Sequence, residues 1–181
     1  MRNALIFLIS TLANVYLAAL LLRFILQWVR ASYRNPLSQL IQRITSPLVV
    51  PARRVLPSIA GLDLPTLVVL VLLEALVTFV LITIATYTIG IPTFLLWVVL
   101  RLVALTLWLY FVMLLVYVLL SWVGDRGGNP MGSALMEVVE PLLRPVRRVL
   151  PPVAGFDLSP LLVMLVCQAG IIALDLPVGL R

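Results

Sequence analysis

A few polar side chains lie inside long apolar stretches of this sequence, where an ionised group indicates either an ion-pair partner or a functional role. Glu74 is the main one, because a carboxylate at the centre of a membrane helix costs about 2.5–3.5 kcal/mol on insertion scales. Gln168 follows 94 residues later, at the equivalent position of an internal repeat. Arg23 is expected to reach toward Glu74. Arg101 is expected to pair with Asp175 near the opposite end of their helices.

Three interpretations of Glu74 are open. It could form an ion pair or hydrogen bond that joins helices, or an ion or proton site along a pathway. It could also contact a membrane helix of another protein. If the two repeats share one interface, Glu74 and Gln168 are expected to face a common pseudo-twofold axis.

The supply of reactive side chains argues against an enzyme. The chain has no histidine and only seven scattered acidic residues, and its single cysteine, Cys167, lies in an apolar run. Neither a metal cluster nor a nucleophile–base pair can be assembled from this set. We therefore expect no catalytic residue, no metal site and no cofactor.

A second group of polar residues belongs to a segment that occurs twice. Residues 35–65 and 129–159 align without a gap at an offset of 94, and 14 of the 31 positions are identical. The identical positions include an Asn-Pro start, an Arg-Arg-Val-Leu-Pro run and a Gly-x-Asp-Leu end. A repeat of this length indicates a duplicated structural unit.

Each copy predicts a short amphipathic helix followed by a turn. Asparagine before proline is typical of a helix start, and apolar residues then recur at i, i+3, i+4 and i+7. Two prolines are expected to stop or kink the helix, a glycine permits a left-handed turn, and an aspartate could cap the next helix. The start and turn positions are Asn35, Pro36, Gly61 and Asp63 in the first copy, and Asn129, Pro130, Gly155 and Asp157 in the second. The apolar positions are Leu37, Leu40, Ile41 and Ile44, then Met131, Ala134, Leu135 and Val138; the prolines are Pro47 and Pro51, then Pro141 and Pro145.

The arginines predict an orientation. All 13 basic residues are arginine, and most lie in residues 30–63 and 124–157, which we call the first and second connecting segments. By the positive-inside rule both segments are expected in the cytoplasm and both termini outside. The pairs Arg53-Arg54 and Arg147-Arg148 are expected to point toward anionic lipid headgroups or a partner protein. Positive-inside charge alone would also account for them.

Composition indicates that the surrounding elements are membrane helices. Hydrophobic residues make up 63% of the 181-residue chain and charged residues 11%, with a mean hydropathy of +1.18. The apolar stretches are Leu5–Val29, Leu64–Ile89, Pro92–Trp122 and Leu158–Leu176. About 20 residues of helix span a bilayer core, so we predict an all-α membrane protein with four transmembrane helices.

The four helices are expected to form two hairpins, residues 1–90 and 91–181, each with its interfacial helix. An even number of helices per repeat predicts parallel rather than inverted repeats. A pI of 10.4 also raises the possibility of nucleic acid. We discount nucleic acid as a partner because membrane insertion explains the composition and acidic headgroups are the nearer anion.

The succession of Asn-Pro, Pro-x-x-x-Pro-x-Arg-Arg and Pro-x-x-x-Gly-x-Asp between two apolar helices resembles the YggT family, also called YlmG. The resemblance covers nearly the whole chain as two tandem modules. It implies a bacterial inner-membrane protein that is not an enzyme, in a family linked to osmotic tolerance and potassium uptake, to assembly of membrane complexes in plastids, and to division or nucleoid organisation. The second copy departs from the first at Ser159-Pro160, and it carries Glu137 and Glu140 in its amphipathic helix.

Two functional hypotheses result. The first is a non-enzymatic protein that docks or organises membrane components through its two basic segments, with effects on osmotic or ion balance. Its expected partners are anionic lipids, and other membrane proteins or further copies of the chain. The alternative is a small oligomeric transporter or channel subunit for potassium or protons, which uses Glu74 and Gln168.

Overall fold

The computed structural model describes residues 1–31, 35–58, 61–123, 130–150, 157–174 and 176–177. This part of the chain is all-helical, as the sequence predicts. Its six helices are α1 Arg2–Trp28, α2 Pro36–Val55, α3 Leu64–Ala85, α4 Ile91–Val123, α5 Pro130–Val149 and α6 Ser159–Ala173.

Three helices, α1, α3 and α4, are long and apolar enough to cross a membrane. They have 27, 22 and 33 residues, or about 40, 33 and 50 Å at 1.5 Å per residue. α3 ends four residues earlier than the apolar pattern predicts, because Thr86 adopts a left-handed conformation with φ of 62°. The length and the apolar composition of these three helices are typical of a membrane protein.

The fourth apolar helix is shorter than expected. α6 has 15 residues, or about 22 Å, against about 30 Å for a hydrocarbon core. The expected stretch Leu158–Leu176 includes residue 175, which lies outside the described residues. Length alone therefore supports three spans, and the fourth is part of the functional proposal below.

The helices of the connecting segments are longer than expected. α2 and α5 each have 20 residues and continue through both of their prolines. Of the predicted stop or kink, the stop is therefore wrong, and the kink stays a prediction. Pro47 and Pro51 both lie on the exposed face of α2. Because a proline leaves a carbonyl unpaired one turn earlier, this placement directs the unpaired carbonyls away from the packed face.

Each repeat folds back on itself. α1 packs against α3 with α2 in contact with both, and α4 packs against α6 with α5 in contact with both. α2 also contacts α5, so the two connecting segments lie at the same end of the molecule. Contacts of α4 with α1 and α3 join the repeats.

The two repeats are not related by a simple twofold axis. Such an axis would match the contact of α3 with α4 by one of α6 with α1, and the described residues contain no such contact. Glu74 is 1% exposed, whereas its repeat counterpart Gln168 is exposed. The expectation that these two side chains face one shared axis is therefore wrong.

Candidate functional site: two Arg–Asp pairs and a buried Glu74–Arg101 pair

The first connecting segment has a capped helix start. Asn35 is the N-cap of α2, and its Oδ1 accepts a hydrogen bond from the backbone N–H of Leu37 at 2.9 Å. Pro36 is the first helical residue. At the other end of the segment, Gly61 has φ of +82°, the left-handed region that glycine reaches without strain. Asn129 and Gly155, the counterparts in the second segment, lie outside the described residues.

An ion pair joins the end of α2 to the start of α3. Arg53 Nη2 donates to Asp63 Oδ2 at 3.0 Å, and the Asp63 side chain is fully buried. The same oxygen accepts from Thr66 Oγ1 at 2.6 Å, and Arg23 Nε lies 3.9 Å away. Asp63 precedes α3 but its side chain makes no cap hydrogen bond. The expected helix cap is thus an ion-pair partner instead, because two guanidinium groups approach the carboxylate.

The second segment repeats this pair. Arg147 Nε donates to Asp157 Oδ2 at 2.8 Å, and Arg147 Nη1 donates to Glu140 Oε2 at 2.8 Å. Its Nη2 donates to the Tyr117 hydroxyl at 3.2 Å. Asp157 Oδ1 also accepts from the backbone N–H of Ser159, the first residue of α6. Both segments therefore attach the end of a connecting helix to the start of the next apolar helix.

The surroundings shift the pKa of both groups. Burial alone would raise the pKa of Asp157, but hydrogen bonds from Ser159 and Arg147 and the Arg147 charge outweigh burial and hold that pKa below its usual 3.8. Burial alone would lower the pKa of Arg147, but its bonds to Asp157 and Tyr117 outweigh burial and raise it. The pair is therefore ionised over the whole neutral range.

The second arginine of each run has different surroundings. Arg54 and Arg148 are exposed, and neither makes an ion pair with any residue that the structure describes. The Arg53 and Arg147 side chains are 45% and 29% exposed and are held by aspartate. Each Arg-Arg run thus provides one structural arginine and one outward arginine.

The predicted apolar stripe of α2 divides between two faces. Ser38, Ile41, Thr45 and Val49 are the buried positions, and they pack toward the apolar helices. Leu40, Ile44 and Leu48 are 54%, 43% and 43% exposed and lie on an adjacent face. In the second segment more of the stripe is covered, since Ala134, Leu135, Val138, Val139 and Leu143 are all buried.

The buried carboxylate of Glu74 pairs with Arg101. Arg101 Nε donates to Glu74 Oε1, both side chains being nearly inaccessible, and Thr78 Oγ1 donates to the same oxygen at 3.2 Å. Arg101 Nη2 donates to Asn14 Oδ1 at 3.2 Å. Helices α1, α3 and α4 therefore meet at one polar cluster between the two repeats.

This cluster corrects one expected pairing and leaves a second one untested. Arg23 does not pair with Glu74; its Nη1 donates to Thr45 Oγ1 at 2.8 Å. Arg23 lies near the connecting-segment end of α1 and Thr45 lies on α2, whereas Glu74 lies ten residues into α3. Arg101 pairs with Glu74, and Asp175, its expected partner, lies outside the described residues.

The geometry favours a structural interpretation of Glu74 over a pathway. The carboxylate is occupied by a guanidinium, and α3 makes no contact with α6, which bears Gln168, within the described residues. Those residues also contain no group of three or more His, Cys, Asp or Glu that could hold a metal ion.

Three polar partners were not singled out from the sequence. Asn14 attracts attention only as one of several small or polar residues at four-residue steps. Thr45 on α2 and Tyr117 on α4 have no signal of their own in the sequence. Thr45 bonds to Arg23, which is 22 positions away in the sequence, and Tyr117 bonds to Arg147, which is 30 positions away. Helix packing brings these residues together.

Comparison with known proteins agrees with the duplicated pattern. The model of the CCB3/YggT family matches residues 2–84 and again residues 96–176. An uncharacterised protein of Pseudomonas aeruginosa is 40% identical over 167 residues, which is 91% of this chain and 85% of that protein.

Two further relatives are similarly close. The uncharacterised YggT protein of Escherichia coli K12 is 37% identical over 163 residues, covering 90% of this chain and 85% of the relative. An uncharacterised protein of Vibrio alginolyticus, from the region 3′ of proC, is 37% identical over 168 residues, covering 92% and 90%. No solved structure matches.

Proposed function

Because the chain belongs to the CCB3/YggT family, we propose that it is a non-enzymatic inner-membrane protein that docks or organises other membrane components through its two connecting segments. In this proposal α6 is the fourth transmembrane helix. Both segments face the cytoplasm and both termini lie outside, as the positive-inside rule requires.

The observation that carries the proposal is the repeated division of each Arg-Arg run. One arginine per run is sufficient to attach the connecting helix, since Arg53 pairs with Asp63 and Arg147 with Asp157. Arg54 and Arg148 remain exposed at equivalent positions. Because α2 contacts α5, the two outward arginines lie on the same end of the molecule, where anionic headgroups or acidic partner surfaces would meet them.

The exposed apolar face of α2 supports an interfacial position. Leu40, Ile44 and Leu48 recur at four-residue steps, and Gln39 and Arg43 lie on another exposed face. A helix with one face on the protein, one apolar face and one polar face fits the lipid–water boundary. In that position the outward arginines would be at headgroup depth.

A double variant tests the docking role. Arg54→Ala with Arg148→Ala is expected to keep normal abundance and thermal stability, because neither side chain forms an ion pair within the described residues. It is expected to lose partner proteins that cross-link to the wild type in isolated membranes, and to lower growth at high osmolarity. The matched control is Arg2→Ala, an exposed arginine at the other end of α1. Unchanged partner recovery and unchanged growth in the double variant would refute docking.

Two measurements separate this proposal from its alternatives. A reporter fused after Arg181 is expected to be active only outside the cytoplasm. Liposomes containing the purified chain are expected to pass neither potassium nor protons. A flux that Glu74→Gln changes while the fold survives would replace docking by transport.

A further inference from the structure

A polar cavity lies between α1 and α2 at the connecting-segment end of the molecule. Its volume is about 180 Å³, several times what a single water needs. Its polar lining comes from Arg23, Gln27, Ser38, Gln42 and Arg53. All five can donate hydrogen bonds through guanidinium, amide or hydroxyl groups.

The hydroxyl of Ser38 marks this cavity as a site rather than a packing gap. Ser38 is 3% exposed, and its Oγ has no hydrogen-bond partner among the residues that the structure describes. A buried hydroxyl without a partner destabilises the folded state, so a ligand or solvent atom that bonds to this hydroxyl is favoured. Ser38 is also the third residue of α2, where the helix dipole favours a negative charge.

The charge of the cavity wall fits an anion. Arg23 and Arg53 contribute +2 and their shared partner Asp63 contributes −1, which leaves +1. Arg23 is only 8% exposed, so its charge acts in a medium with little screening by salt. Guanidinium groups suit phosphate oxygens because they donate in a planar, two-pronged arrangement.

The second repeat keeps the Arg–Asp pair without the same donors around it. At an offset of 94, Ser38 is replaced by Gly132, Gln42 by Met136, Gln27 by Ser121 and Arg23 by Tyr117, while Arg53 is kept as Arg147. The local charge also differs, because Arg147 with Glu140 and Asp157 sums to −1, or to 0 when Arg144 is included. Ser38, Gln42 and Gln27, which the second repeat lacks, are therefore not required by the Arg–Asp pair that holds the segment.

We propose that the cavity between α1 and α2 binds a phosphate group through Arg23, Arg53, Ser38 and Gln42. The group is either the headgroup phosphate of an anionic lipid or free phosphate, since both present the same oxygens. The site is distinct from the outward Arg54 and Arg148 and does not depend on their role in docking.

The test measures binding of defined probes to the purified full chain in detergent. Native mass spectrometry is used with short-chain phosphatidylglycerol, with the matching diacylglycerol that lacks phosphate, and with inorganic phosphate as competitor. The wild type is expected to bind one phosphatidylglycerol per chain and no diacylglycerol. If inorganic phosphate displaces phosphatidylglycerol, the ligand of the site is free phosphate. If phosphatidylglycerol stays bound in the presence of inorganic phosphate, the ligand is the lipid headgroup.

Two variants localise the binding. Ser38→Ala removes one donor to a charged ligand and is expected to weaken phosphatidylglycerol binding about tenfold or more. Gln42→Met, which copies the second repeat, is expected to act in the same direction. Arg2→Ala, an exposed arginine at the other end of α1, is the matched control and is expected to bind as the wild type does.

A stability measurement distinguishes a binding role from a packing role. Without ligand, Ser38→Ala is expected to unfold at the same or a higher temperature than the wild type, because it removes an unsatisfied hydroxyl. Phosphatidylglycerol or phosphate is expected to raise the unfolding temperature of the wild type more than that of the variant. If neither probe binds the wild type, or if Ser38→Ala and Gln42→Met both bind as tightly as it does, the phosphate site is refuted.

Discussion

At the scale of single residues, neighbouring arginines differ in what they contact. Arg53 donates to a carboxylate that is fully buried, whereas Arg54 is exposed beside it without an ion pair among the described residues. A buried carboxylate that loses a donor incurs a desolvation cost, while an exposed pair contributes little. The same chemical change should therefore have different effects at adjacent positions.

We predict that Arg53→Ala lowers the free energy of unfolding by about 1–3 kcal/mol, because among the described residues Asp63 then keeps Thr66 and the more distant Arg23. Arg54→Ala is expected to change it by less than about 0.5 kcal/mol. Thermal unfolding of both variants in the same detergent gives the comparison. Equal losses at both positions would mean that the Arg53–Asp63 pair has no special role.

The second pair predicts a pH dependence. The pKa of Asp157 is lowered in the folded state, so its contribution to stability is complete above the unfolded value near 3.8 and is lost as the pH falls through the lowered pKa. Asp157→Asn is expected to be less stable than the wild type at neutral pH and equally stable at strongly acidic pH. Unfolding temperatures across a pH series measure this.

Glu137→Gln provides the control for that series. Glu137 is an exposed carboxylate on the same segment and forms no ion pair within the described part of the chain. It is expected to follow the wild type at every pH. If the unfolding temperature of Asp157→Asn stays below that of the wild type by the same amount in acid, the cause is lost packing rather than lost charge.

At the scale of elements, the sequence predicts which helices exist better than where they end. The Asn-Pro start of α2 is local, since a cap and a fixed φ need only adjacent residues, and the helix begins at Pro36. Its continuation through Pro47 depends on which face the proline occupies after packing, and no local pattern contains that information. The division of the apolar stripe of α2 has the same origin.

The prolines of α2 give a prediction for this helix. Pro47→Ala restores a backbone hydrogen bond inside a helix that already passes through the position, so stability is expected to rise by up to about 3 kcal/mol. Pro36→Ala at the first helical position is expected to change little, because proline suits that position. Unfolding temperatures of both variants test this. A loss of stability in Pro47→Ala would mean that the packed position of α2 needs the proline ring.

At the scale of the whole molecule, one polar cluster joins the two repeats. The sequence identifies Glu74, Arg101 and Arg23 as residues that need partners, because charge in an apolar helix is costly. The sequence cannot assign the partners of these residues, since the partners depend on how the two repeats pack against each other. Arg101 occupies the position equivalent to Phe7 in the first repeat, and Glu74 is equivalent to Gln168, so the duplication itself predicts no ion pair here. Only the contact of α3 with α4 brings the two charges together.

This arrangement predicts a strong and specific coupling between Glu74 and Arg101. Glu74→Gln removes the carboxylate that pairs with a buried guanidinium and is expected to destabilise the protein by about 3–5 kcal/mol, as is Arg101→Leu. The double variant Glu74→Leu with Arg101→Leu removes both charges and is expected to recover much of that loss. Gln168→Leu, at the equivalent position on the exposed face of α6, is expected to be neutral.

A double-mutant cycle in one detergent measures the coupling between Glu74 and Arg101. If the two single losses simply add, the pair does not hold the repeats together, and Glu74 is again open to a role in a pathway or with a partner helix.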